Sequence, residues 1–155
     1  MKLRSVLMGL IIVSTSNWAT GQQASTSTQV PPVRKLVIQP TSTPVMGGKA
    51  SLTISTLHRK AATFIGEYDL KVSPWSFKNE TGKLTMQVSD EALKKLSMGI
   101  AVDFTGSVIT HGESAVRPVI AKATPSGKEQ GSVTFSFTGE DRKVVFNSKY
   151  QLRKE

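Results

Sequence analysis

Two carboxylates on one predicted strand, Glu67 and Asp69, are the side chains whose spacing comes nearest to acid–base chemistry. Residues two apart in a strand share a face, so both are expected to point outward, as Asp103 is from a later strand. If the two strands were neighbours, these acids could gather on one face and cleave a glycan, a reaction that uses paired carboxylates. Polar residues also alternate outward on any half-exposed strand, and we expect this plainer role here.

The residues for other kinds of catalysis are absent or badly spaced. The chain has no cysteine and only two histidines, His58 and His111, which lack the spacing of a zinc-binding pair. Both lie beside turn-like sequence, so we expect solvated loop residues. The serine motif Gly-x-Ser-x-Gly is missing, and Gly127-Lys128 lacks the first glycine and the hydroxyl residue of a phosphate-binding loop. We therefore expect no catalytic residue, metal or cofactor.

Basic residues give the clearer indication of function. Lys143, Lys149 and Arg153 share one parity in the C-terminal segment, opposite to an apolar set: Val144, Phe146, Tyr150 and Leu152. This pattern predicts a basic outer face, which would attract an anionic polymer. Cations on a terminal strand can also serve only to prevent edge-to-edge pairing, and that alternative stays open. Nucleic acid is not an expected partner, because no exposed aromatic residues alternate with the charges.

Trp75 and Phe77 lie in a loop rich in serine, proline and asparagine. Such rings either cover one end of the core or present an apolar patch to a sugar or a protein, and the sequence leaves both roles open. With Lys143, Lys149 and Arg153, they complete our set of candidate binding residues.

The elements that must position these residues are short alternating segments separated by turn signals, the pattern of antiparallel strands. Ser89–Gly99 departs from it, with a capping serine, early acids, later lysines and a closing glycine that indicate one short helix. Eight strands are predicted: Val33–Gln39, Lys49–His58, Ala62–Ser73, Lys83–Val88, Ile100–Thr110, Ser114–Lys122, and a hairpin with arms around Val133–Phe137 and Val144–Leu152.

Three local features refine this prediction. Gly66 and Gly106 fall on the inward face beside large rings, which predicts close packing or bends in the two strands. Gly139 ends a strand and predicts a turn. Pro118 cannot donate to a ladder, so its strand is expected at a sheet edge. The fold class expected is all-β, an antiparallel β-sandwich or open barrel of about eight strands with one short helix.

The start of the chain has the layout of a secretory signal peptide: Lys2 and Arg4, a short apolar run, then small residues before Gln22. The run is too short for a membrane-spanning helix. We expect residues 1–21 to be removed, which lowers the formal net charge from +9 to +7, residues 22–32 to form a flexible lead-in, and residues 33–155 to form one domain. Periplasmic and extracellular locations both stay open.

These observations predict an exported, non-enzymatic module of the cell envelope or exterior that binds an anionic polymer or another envelope protein. Two alternatives remain, a hydrolase of glycans or other polymers and a structural protein that assembles through a sheet edge. The sequence does not indicate an oligomeric state.

Overall fold

A computed structural model describes residues 32–138 and 143–154. The signal peptide expected at residues 1–21, nearly all of the lead-in and the turn expected at Gly139 lie outside the described residues.

The described chain contains ten strands and one α-helix. The strands are β1 (Lys35–Ile38), β2 (Thr41–Val45), β3 (Gly48–Ile54), β4 (Leu57–Lys60), β5 (Thr63–Ser73), β6 (Glu80–Gln87), β7 (Val102–Thr110), β8 (Val116–Pro125), β9 (Gln130–Thr138) and β10 (Lys143–Arg153). The helix α1 (Asp90–Ser97) follows β6, and a 3-10 turn spans Ser76–Lys78. The expected all-β class with one short helix is confirmed.

The sheet closes on itself, which the sequence did not predict. Its hydrogen-bonded order is β2-β3-β5-β4-β1-β10-β9-β8-β7-β6, and an additional pairing of β5 with β6 joins the two sides. The result is a closed antiparallel barrel of eight strands with β2 and β3 as extra strands, rather than two stacked sheets or an open barrel. Closure depends on the length of β5, which pairs with β6 on one edge and with both β3 and β4 on the other.

Two predicted boundaries are wrong. No strand was predicted between Gln39 and Lys49, but β2 lies there and pairs with β3 in a hairpin that turns at Met46–Gly47. The strand expected at Lys49–His58 is interrupted at Ser55. There the Ser55 hydroxyl accepts a hydrogen bond from the Glu67 backbone N–H at 2.9 Å, and Leu57 fills the space over Gly66.

Pro118 does not mark an edge strand, because β8 pairs with β7 and with β9. The pairing with β9 begins at Val119, one residue beyond the proline, so the ring lies where that ladder ends. A missing N–H is tolerated at such a position.

The helix α1 covers one end of the barrel, here called the helix end. It begins at Ser89, whose hydroxyl accepts from the Ala92 N–H at 3.1 Å, and it buries Leu93 and Leu96 against the core. Arg59 on β4 donates to the Asp90 carboxylate at 2.8 Å and so ties the first turn of the helix to the barrel. The opposite end, the loop end, carries residues 46–47, 74–79 and 111–115.

Candidate binding site

The barrel interior is a packed core. Its cavity measures about 30 Å³ and is lined by apolar side chains that include Phe64, Phe104 and Phe135. Small-molecule sites usually enclose about 300–1,000 Å³, so this space does not hold a ligand as it stands. A candidate binding site must therefore lie at the surface or at the barrel ends.

A polar cluster crosses the interior at the loop end. Arg117 donates to both carboxylate oxygens of Glu80, to the Tyr68 hydroxyl at 3.2 Å and to the Thr110 hydroxyl at 2.8 Å. The four side chains come from β8, β6, β5 and β7, so the cluster links four consecutive walls of the barrel. The Arg117 and Glu80 side chains are 27% and 26% exposed. Partly buried charges need partners of opposite sign, and Arg117 and Glu80 are each other's partner.

The cluster shifts two ionisations. The hydrogen bond to Glu80 is the main cause that raises the pKa of Arg117 above its ordinary value, and desolvation opposes it. Burial raises the pKa of Tyr68, while hydrogen bonds from its neighbours partly offset this effect. Both groups keep their protons at neutral pH. The arrangement links the four strands at this end of the barrel.

A surface groove of about 690 Å³ runs along the outer face where β1, β10 and β9 meet, towards the helix end; we call it the β10 groove. Its polar side chains are two cations, three amides and two hydroxyls: Lys149, Arg153, Gln39, Gln130, Gln151, Ser126 and Ser132. The volume lies within the range of functional clefts. Two of the three predicted basic residues, Lys149 and Arg153, thus border this concavity.

The cations of the β10 groove have no ion pair with another described residue. Within residues 32–138 and 143–154, no carboxylate lies within 4 Å of the Lys149 or Arg153 nitrogens. The Arg153 guanidinium is held along the strand by two hydrogen bonds to Gln151 Oε1, at 3.2 and 3.0 Å. Lys35 lies opposite Arg153 in register, so the positive edge continues onto β1.

The three residues of the predicted basic outer face do not all lie in the groove. Lys143 lies at the loop end of β10, about 20 Å along the strand from Lys149 and outside the groove. It pairs in register with Thr138 and is exposed. Strand parity placed the three residues on one face correctly, yet it could not show that only two border a concavity.

Asp103 does not converge with the other two candidate catalytic acids. Glu67 faces Lys83 in register on β6, and Asp69 receives an ion pair from Lys71 at 3.6 Å. Asp103 faces Lys122 on β8. Across β5, β6 and β7, Glu67 lies level with Lys83 and Ile109. Asp103 is six residues before Ile109 on β7, and therefore lies about 20 Å along that strand from the level of Glu67. Glu67 and Asp69 share the outer face of β5, but a lysine lies beside each of them, and Asp103 is too distant to act with either.

The two predicted aromatic residues, Trp75 and Phe77, have different environments. The Trp75 ring packs against Gly47 of the β2–β3 turn, where an added Cβ would lie 2.9 Å from ring atom Cη2. Phe77 projects outward with 78% of its surface exposed. Trp75 therefore takes the packing role and Phe77 forms an exposed apolar feature at the loop end.

The two histidines lie far apart. His58 belongs to β4 and is exposed, so the expectation of a loop position is wrong for this residue. His111 occupies the β7–β8 turn, where its backbone N–H donates to Thr81 O at 2.8 Å. Among the described residues, no group of three or more acidic, histidine or cysteine side chains could hold a metal ion.

Sequence reasoning missed the polar residues of the groove and of the loop-end cluster. Gln151 and Ser132 have the outward parity of their strands, and nothing else distinguished them from solvated surface. Arg117 and Glu80 carried a usable signal, because each has the parity of the buried residues of its strand. A charged residue on the inward parity at the end of a strand indicates an internal partner.

No protein-family model, curated protein or solved structure matches this chain. None of the helices in the described part of the chain has the length and apolar character needed to cross a membrane.

Proposed function

We propose that this chain is an exported, non-enzymatic module that binds an acidic polysaccharide of the cell envelope or exterior through the β10 groove. The observation that carries the proposal is the groove itself, a concavity of about 690 Å³ in which Lys149 and Arg153 have no carboxylate within 4 Å among the described residues.

The lining of the groove supports a sugar rather than another polyanion. Amides such as Gln39, Gln130 and Gln151 can both donate to and accept from sugar hydroxyls, while the cations bind carboxylates. A nucleic acid would be expected to stack on aromatic rings. The only ring at the groove, that of Tyr150, is buried beside Gly131 and presents no exposed face.

The other hypotheses receive less support. A hydrolase needs paired carboxylates, and here Glu67 and Asp69 each lie beside a lysine while Asp103 lies far from both. Assembly through an open sheet edge loses much of its basis, because a closed barrel leaves few unpaired edges. The strand β2 pairs only with β3 among the described residues, and it also contacts β10, where the Thr41 hydroxyl donates to Asn147 O at 2.5 Å.

The proposal is tested by calorimetric titration of the chain from Gln22 onward with polygalacturonate, with neutral dextran as the control. We expect binding of polygalacturonate that weakens as salt is added, because exposed charges are screened. Dextran tests whether hydroxyl contacts suffice without charge, and we expect no binding. Equal heats with both polymers, or none with polygalacturonate, would remove the proposal.

A further inference from the structure

Two loops at the loop end present the most exposed large apolar side chains of the described residues. Met46 in the β2–β3 turn is 68% exposed, and Phe77 in the β5–β6 loop is 78% exposed. Exposed apolar side chains that group into one patch, with polar residues at its rim, mark contact sites for a protein or a membrane. We call Met46, Gly47, Trp75, Phe77 and Lys78 the apolar tip.

The apolar tip has a defined shape. Trp75 packs on Gly47, which joins the two loops, and Gly47 has a φ of 71°, a conformation that side chains rarely adopt. Within the second loop, the Lys78 N–H donates to Trp75 O at 3.0 Å. At its far end, the Asn79 side chain accepts from the Val72 N–H at 2.8 Å. The exposure of Phe77 is therefore held by packing and hydrogen bonds on either side of it.

Cations lie beside the apolar side chains. Lys78 Nζ lies 5.8 Å from the centroid of the Trp75 ring, and exposed Lys49 follows the β2–β3 turn directly. No carboxylate of the described residues lies within 4 Å of either amine. Among the described carboxylates near the loop end, Glu80 and Asp69 have ion pairs, whereas Glu113 in the β7–β8 turn has none with another described residue.

We infer that the apolar tip docks on an anionic lipid surface, with Phe77 and Met46 entering the headgroup region. Indole rings and lysines with long apolar stems suit the boundary between lipid and water, and positive charge near the surface attracts anionic headgroups. The inference is independent of the proposed function, because the β10 groove lies towards the opposite end of the barrel.

The test is sedimentation of the chain from Gln22 onward with vesicles. Residues 1–21 are omitted because their apolar run would itself bind lipid, and the remaining chain contains all of the residues that the structure describes. Vesicles of phosphatidylcholine alone are compared with vesicles that also contain phosphatidylglycerol. Trp75 is the only tryptophan from Gln22 onward, so its emission reports on the tip directly.

We expect binding to the anionic vesicles with a blue shift of Trp75 emission. Phe77→Ser should lower partitioning by about tenfold or more, because its ring is no longer buried in lipid. Met98→Ser is the matched control, since Met98 is 65% exposed but lies at the helix end. It should change partitioning by less than about twofold.

Three outcomes would overturn the inference. The first is no binding to anionic vesicles, as expected if the tip instead contacts a protein. The second is equal loss in Phe77→Ser and Met98→Ser. The third is binding that survives Phe77→Ser but is abolished by Lys149→Gln with Arg153→Gln, which would assign vesicle attraction to the groove alone. Circular dichroism verifies that each variant keeps the wild-type fold.

Discussion

Arg117 on β8 and Glu80 on β6 form an ion pair inside the barrel, across the strand that lies between them. The Arg117 Nε is buried and has no hydrogen-bond partner among the described residues. Among the described residues, Glu80 therefore supplies the counter-charge for this partly buried guanidinium.

The first prediction concerns this pair. Glu80→Gln should lower the free energy of unfolding by about 1–3 kcal/mol, because it leaves a partly buried guanidinium without its counter-charge. The double variant with Arg117→Gln should recover part of that loss, since no unpaired charge then remains. Urea unfolding followed by Trp75 fluorescence measures both. A change in Glu80→Gln below about 0.5 kcal/mol would contradict the structural role assigned to the cluster.

The second prediction concerns alkaline pH. Burial raises the pKa of Tyr150 above 10.0, so the folded chain keeps this proton at a pH where the unfolded chain loses it. The contribution to stability is complete below about pH 10 and is lost as pH rises through the folded pKa. We therefore expect wild-type stability to fall more steeply above about pH 10 than that of Tyr150→Phe, while the two proteins show parallel slopes below about pH 9. Urea midpoints of the two proteins in both pH ranges make the comparison. Parallel slopes in the upper range as well would show that Tyr150 has no raised pKa.

The third prediction tests the packing of the inward glycines. An added Cβ at Gly66 would lie 2.5 Å from Leu57 Cδ2 and 2.8 Å from Ser55 Oγ. Gly66→Ala should lower the free energy of unfolding by about 1–3 kcal/mol, because Leu57 and the strand break at Ser55 must shift. Gly127→Ala is the matched control, since its nearest atom would be 3.5 Å away. If both variants unfold at the same urea concentration, the close approach at Gly66 does not exist.

The sequence predicted most strands and the helix, because local alternation and capping determine them. In α1, for example, the capping residue Ser89 and the buried residues Leu93 and Leu96 all lie within two turns of one another, so the sequence pattern alone indicates the helix. Barrel closure was not predictable, because it depends on which strands meet β5, a relationship between residues distant in sequence. The same limit applies to the candidate site. Parity put Lys149 and Arg153 on one face, but the groove also needs Gln39 and Gln130 from other strands.

The β10 groove is tested most directly by comparing two variants that lose the same charge. Lys149→Gln with Arg153→Gln removes the cations of the groove, while Lys94→Gln with Lys143→Gln removes two exposed lysines elsewhere. Each variant is titrated with polygalacturonate under the conditions used for wild type. If the groove binds the polymer, the first variant should lose about fivefold to tenfold in affinity and the second less than about twofold. Equal losses in the two variants would mean that net charge, and not the groove, attracts the polymer, and would contradict the proposed function.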